Sequence, residues 1–261
     1  MMPRNVLMLG NSHTAAPRIA LRDRPETWPG FQPDVFAMPG DTIGMLEVRD
    51  GAIHPSDTEV RRKMRYYNGI PDLPLSGYDA FVVIGCLAFH RLAGLQEHHR
   101  SPDFPSVVRG ERCRLISSGL VEALLADRIG NSPTLRLIRA LAGLGQGPVL
   151  FMDTVFPSAE CRTDPQDFAP HVAMAARGDG GAYHARYLRI LHQALGRDAI
   201  HIAQPADTVV DEVFTAPEWM RGSVRMQPRR DVPHEAREYG HANPAYGARQ
   251  LDLIVAALAA L

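Results

Sequence analysis

The chain has 261 residues, of which 45% are hydrophobic and 22% charged, with a formal net charge of -1. This is enough chain for one sizeable core, and no low-complexity tract or long polar linker divides it, so a single domain over 1–261 is expected. The near-neutral charge gives no electrostatic reason to expect a nucleic acid partner, and the cations are almost all arginine, Lys63 being the only lysine.

The apolar run at 6–9 predicts a first buried strand. It ends in Gly10-Asn11-Ser12-His13 and leads into a helix over 14–22. A second strand is expected at 34–38, before Pro39-Gly40-Asp41-Thr42, and 47–76 is a polar insertion whose charges are solvated. The run at 80–84 has the β-branched and aromatic content of a strand covered on both faces and stops at Gly85. Helical periodicity runs over 111–129 and 134–144. A strand follows at 148–152, then a polar, proline-bearing loop at 153–158 and a loop from Pro157 to Asp179. A helix at 182–195, a short strand at 199–202 and a terminal helix at 248–261 complete the pattern. Strands alternating with helices imply an α/β fold with a parallel, doubly wound sheet.

The first run is too short for a signal-peptide core or a membrane span and meets a polar turn at once, so a cytoplasmic protein is expected. Cys86, Cys113 and Cys161 are an odd set at wide spacings, expected to be free thiols. His98 and His99 are adjacent and cannot easily face one metal, and no ligand at helical spacing completes a site there. His184 and His192 suit ordinary positions on one amphipathic helix. Neither a metal nor a cofactor is expected.

A strand that stops at glycine before a helix places the next polar side chains at the carboxyl edge of the sheet, where open α/β folds keep their chemistry. Ser12 lies there. A hydroxyl nucleophile needs a base that the fold can return from anywhere in the sequence, and His241 is the leading candidate. The competing roles are structural: Ser12 and Asn243 are both suited to capping the helices that follow them.

Gly10-Asn11-Ser12-His13 and Glu238-Tyr239-Gly240-His241, with Asn243 and Gly247 beyond, resemble the first and last blocks of the SGNH, or GDSL-type, serine hydrolases. The resemblance implies a flavodoxin-like three-layer α/β/α sandwich with a mainly parallel five-stranded sheet, acting on esters. It implies Ser12 as nucleophile, His241 as base and Glu238 as the acid three residues before it. It also implies the N–H groups of Ser12 and Gly40 as oxyanion donors. Asp231-Val232-Pro233-His234 satisfies the same acid-to-histidine spacing, leaving Asp231 as the alternative acid. The third block departs from the pattern, since Gly85-Cys86-Leu87-Ala88 lacks the oxyanion asparagine. Asn11, whose amide can donate, is the candidate replacement, with His13 or His90 as further donors. Gly85, His13 and Asn243 are candidate substrate contacts.

The expected activity is that of a serine esterase or acyltransferase on a small-molecule or carbohydrate ester, since no lipid-binding apolar lid is identifiable. The alternative is a non-catalytic carbohydrate- or ester-binding protein on the same fold, and a third reading has the Gly10 turn cradling a phosphate at a helix N-terminus.

Overall fold

The computed structural model describes residues 5–228 and 230–261. Five strands form the central sheet: β1 (Val6–Gly10), β2 (Asp34–Ala37), β3 (Ala80–Ile84), β4 (Val149–Met152) and β5 (Ile200–Ile202). All neighbours are parallel, in the order β5-β4-β3-β1-β2. Side chains alternate across a strand, so a sheet with residues of both parities buried needs cover on both faces. Leu7, Leu9, Phe81, Val83 and Phe151 face one core, while Met8, Val82, Ile84, Leu150 and Ile202 face the other.

The first layer is built by α2 (Thr58–Asn68), α3 (Ser118–Gly130), α4 (Pro133–Ala142), α5 (Ala169–Ala176) and α6 (Gly180–Leu195). The second layer is α1 (Ala15–Asp23) with α7 (Pro244–Ala259), through Ala20, Leu251, Ile254 and Leu258. The protein is a three-layer α/β/α sandwich. No helix among the described residues is long and apolar enough to cross a membrane, and all three cysteines are free.

Most expected elements form, with three corrections. The expected helix at 111–129 starts only at Ser118, capped by Ser117, whose side chain accepts from the Leu120 N–H at 3.1 Å; Arg114–Leu115 instead pairs with His99–Arg100. The polar stretch 47–76 contains a hairpin, Leu46–Arg49 with Ala52–Pro55, and α2, and Ile53, Val60 and Met64 are fully buried in the main core. Its arginines Arg61, Arg62 and Arg65 are exposed. The loop expected from Pro157 to Asp179 contains α5, whose His171 and Met174 are fully buried.

The strand order places the site. From β1 the chain goes to β2 on one side and then crosses to β3 on the other, so the crevice beyond the carboxyl ends of β1 and β3 is the topological switch point. Gly10 ends β1 and Gly85 follows β3 at that crevice. A Cβ on Gly10 would lie 2.1 Å from the Ile84 carbonyl oxygen, so only glycine lets the strands stay this close. Gly247 does the same between helices: a Cβ there would meet the Ala16 carbonyl carbon at 2.2 Å. The close approach of α7 to α1 fixes the segment before α7 beside the turn before α1.

Candidate active site

Asn11, rather than Ser12, caps the short 3-10 turn Ser12–Thr14: its Oδ1 accepts from the His13 N–H at 3.1 Å. The Ser12 hydroxyl is therefore not used as a helix cap. It lies 2.8 Å from His241 Nε2, across 229 residues of sequence. His241 Nδ1 is 3.0 Å from Glu238 Oε1, which also accepts from the Gly240 N–H at 2.7 Å. Burial alone would raise the Glu238 carboxyl, but the hydrogen bond and charge of His241, with the Gly240 N–H, bring it down to about 2. An ionised carboxylate only accepts, so the imidazole proton sits on Nδ1 and Nε2 is left to accept from Ser12 O–H.

Local contacts hold this loop. The Ser158 N–H donates to the Tyr239 carbonyl at 2.8 Å, with Tyr239 buried. Asn243 Oδ1 accepts from the Tyr246 N–H at 3.0 Å, and Nδ2 donates to the carbonyls of Glu218 and Arg221 at 2.7 and 2.9 Å. This corrects Asn243 as a substrate contact: both amide hydrogens and the oxygen are spent on capping α7 and tying down a neighbouring turn.

Asp231 is likewise corrected as the alternative acid. Its two oxygens are gripped by Arg22 at 2.8 and 2.7 Å, and Glu238 has taken His241 Nδ1. His234 is nevertheless at the site. Its ring lies flat on His241 with centroids 4.5 Å apart, while His13 covers the other face at 4.7 Å. Burial, and then the charge of His241, lowers both flanking imidazoles, His234 to about 4 and His13 well below the ordinary histidine value. By distance His234, Glu238 and His241 could share a metal, with ligand atoms within 4.8 Å of one another. The face-to-face rings argue otherwise: ring-nitrogen lone pairs lie in the ring planes, and parallel planes do not converge on one ion.

The oxyanion side is less complete. Leu87 is buried in the core and Gly85 N–H donates to the Met152 carbonyl at 2.9 Å, so the third block offers neither group as a donor. This corrects Gly85 as a substrate contact. Its φ of +74° and its nearness to Asn11, whose Oδ1 a Cβ would meet at 2.5 Å, give it a shaping role instead. Cys86 follows with φ 70°, a left-handed conformation costly for a residue with a side chain. Asn11 Nδ2 has no hydrogen-bond partner among the described residues. Gly40 is exposed at the same sheet edge, where the Met38 N–H bonds the Gly10 carbonyl at 3.0 Å. His90 packs against Phe168 and His171 and is pushed down to about 3 by burial.

No known family matches the chain, and no curated protein matches it in sequence.

Proposed function

We propose that the chain is a serine esterase or acyltransferase of the SGNH type, acting on a small-molecule or carbohydrate ester. The observation that carries this reading is the continuous hydrogen-bonded chain from Ser12 through His241 to Glu238. In the proposed reaction Ser12 Oγ attacks the ester carbonyl as His241 Nε2 takes its proton. The carbonyl π pair becomes the oxyanion, for which the N–H groups of Ser12 and Gly40 and the Asn11 amide are the candidate donors. Collapse breaks the ester bond, and the leaving alkoxide takes the proton from His241. Water or an acceptor hydroxyl then repeats the sequence on the acyl-serine, with Glu238 stabilising the imidazolium in both halves.

A second reading, a non-catalytic ester- or carbohydrate-binding protein, is favoured by Leu87 alone. Removing one oxyanion donor costs roughly 10²–10³ in rate. Fluorophosphonate labelling with intact-mass detection separates the two. The esterase reading expects stoichiometric labelling of the wild type and none of Ser12→Ala, together with hydrolysis of an activated ester by the wild type only. A folded wild type that neither labels nor hydrolyses would leave the binding reading in its place.

A further inference from the structure

A cleft of about 450 Å³ opens between one face of α1 and the hairpin that pairs Val224–Arg225 with Val232–Pro233. Both walls lead back to the triad. α1 follows directly on the Ser12–Thr14 turn, its Ala15 lines the cleft, and Thr14 Oγ1 lies 3.8 Å from Sδ of Met226 on the opposite wall. That wall runs on to His234, whose N–H donates to the Ser223 carbonyl at 3.0 Å and whose ring stacks on His241. With a rise of 1.5–2.0 Å per residue, Arg18 lies about 10 Å along the chain axis from Ser12, and the Cα–Cβ bonds of a helix tilt back toward its N-terminus.

The charged lining is four guanidinium groups, Arg18, Arg22, Arg225 and Arg230, against one carboxylate, Asp231. Arg22 holds Asp231 with both terminal nitrogens, at 2.8 and 2.7 Å, and Arg225 donates to Glu235 at 3.1 Å. Arg18 and Arg230 make no hydrogen bond or ion pair with any described residue. Arg18 is half-buried, yet none of its nitrogens is closed off from solvent. A guanidinium partly removed from water gains from an anionic partner, and its planar fork suits a carboxylate. The Arg22–Asp231 pair shows that fork at work in the same cleft.

We propose that this cleft holds a carboxylate carried by the ester substrate, with Arg18 as its partner. The excess of guanidinium groups around it favours an acid over a neutral or cationic ester. The inference deepens the serine hydrolase reading and rests on it for the reaction, while binding is measured apart from it.

Binding is read by calorimetry on Ser12→Ala, which keeps the cleft and cannot form an acyl-serine. Two pairs of esters place the carboxylate on either side of the ester bond: mono-4-nitrophenyl adipate against 4-nitrophenyl hexanoate, and 6-acetoxyhexanoate against hexyl acetate. In at least one pair the acid is expected to bind about fivefold or more tightly than its neutral counterpart, the upper end for an ion pair at a protein surface. The preference should shrink as salt is raised from about 0.05 to about 0.5 M. Adding Arg18→Gln should remove most of it. Adding Asp231→Asn, which takes away the competing carboxylate, should increase it and serves should Arg18→Gln fail to fold. In the wild type, the acid release from the same pairs should show the same order in kcat/KM. No preference for the acid in either pair, a preference that Arg18→Gln leaves intact, or one that salt does not weaken would each overturn the proposal. Preferential binding of the acid to Ser12→Ala with no turnover by the wild type would overturn the hydrolase reading and leave the carboxylate site standing.

Discussion

His234 lies face to face with His241, the ring planes 16° from parallel, and His13 closes the opposite face at 14°. The base of the proposed triad is thus held between two imidazoles that burial keeps neutral. The stack blocks rotation of the His241 ring, so Nε2 stays on Ser12 and Nδ1 on Glu238. When His241 takes a proton, the cation forms between two π faces and meets no second charge there.

An aromatic contact of this kind is worth about 0.5–1.5 kcal/mol, or roughly 2- to 12-fold in an equilibrium or rate. His234→Ala is expected to lower kcat on an activated ester by that factor, with KM little changed. His234→Phe keeps the flat contact and removes the proton-binding atoms, and should recover most of the rate. A His234→Phe enzyme as slow as His234→Ala would show that His234 acts through its nitrogens and not through stacking.

The two carboxylates that share the same spacing to a histidine are expected to behave oppositely. Glu238→Gln leaves the shape but gives His241 Nδ1 a competing amide, and kcat should fall by about 10⁴, as for loss of the acid in serine triads. Asp231→Asn breaks only an exposed pair with Arg22, worth at most about 1 kcal/mol, and should leave kcat unchanged. Steady-state kinetics on the two variants decide the assignment, and a slow Asp231→Asn enzyme would contradict it.

The sheet and the place of Ser12 at its edge are legible in the sequence because these rest on local signals. Buried strands are continuous apolar runs, and a turn at the strand end puts Ser12 at the sheet edge. From the sequence, Glu238-His241 ranks above Asp231-His234 only through the resemblance of the residues beyond His241 to a family block, since the spacing is the same in both. What the sequence could not show is that both histidines lie at the site, since no spacing encodes a ring stack between segments that meet only in three dimensions. Asn243 illustrates the converse. Its fit as the cap of the helix after it is legible in the sequence, but only the positions of two distant carbonyls show that its amide hydrogens are taken as well. The helix at Ala169–Ala176 has its own signals, Pro170 in the first turn and four alanines, but it lies inside a stretch that reads as one polar loop, and its burial depends on elements elsewhere.

Gly247 gives a prediction that links packing to chemistry. Alanine there would place its Cβ 2.2 Å from the Ala16 carbonyl carbon and 2.3 Å from the oxygen, against backbone that cannot rotate away. Gly247→Ala should cost about 1–3 kcal/mol of stability. It should also slow fluorophosphonate labelling of the remaining folded protein, because moving α7 away from α1 moves His241 away from Ser12. Denaturation curves and labelling rates on the same preparation check both. A destabilised variant that labels at the wild-type rate would mean that the helix contact supports the fold without setting the triad distance.

The buried histidines also fix how stability responds to acid. His171 is fully buried, with Nε2 on the Val213 carbonyl at 2.8 Å. Burial lowers it from 6.5 to about 4, despite the opposing pull of that carbonyl. His234 falls to about 4 and His90 to about 3 for the same first cause. The sign follows from where the protons bind. Below about pH 6.5 the unfolded chain takes up protons on these residues and the folded one does not, so stability falls with pH down to about pH 4. His171 alone should remove about 2 kcal/mol between about pH 7.5 and pH 5. Glu238, held at about 2 against an ordinary 4.5, adds a further loss as the pH falls from about 4.5 to about 2. Urea denaturation at the two pH values should show the wild type clearly weaker at the lower one. In His171→Gln, whatever its absolute stability, the difference between the two pH values should shrink by about 2 kcal/mol. An unchanged difference in that variant would mean that His171 is not held neutral by its burial.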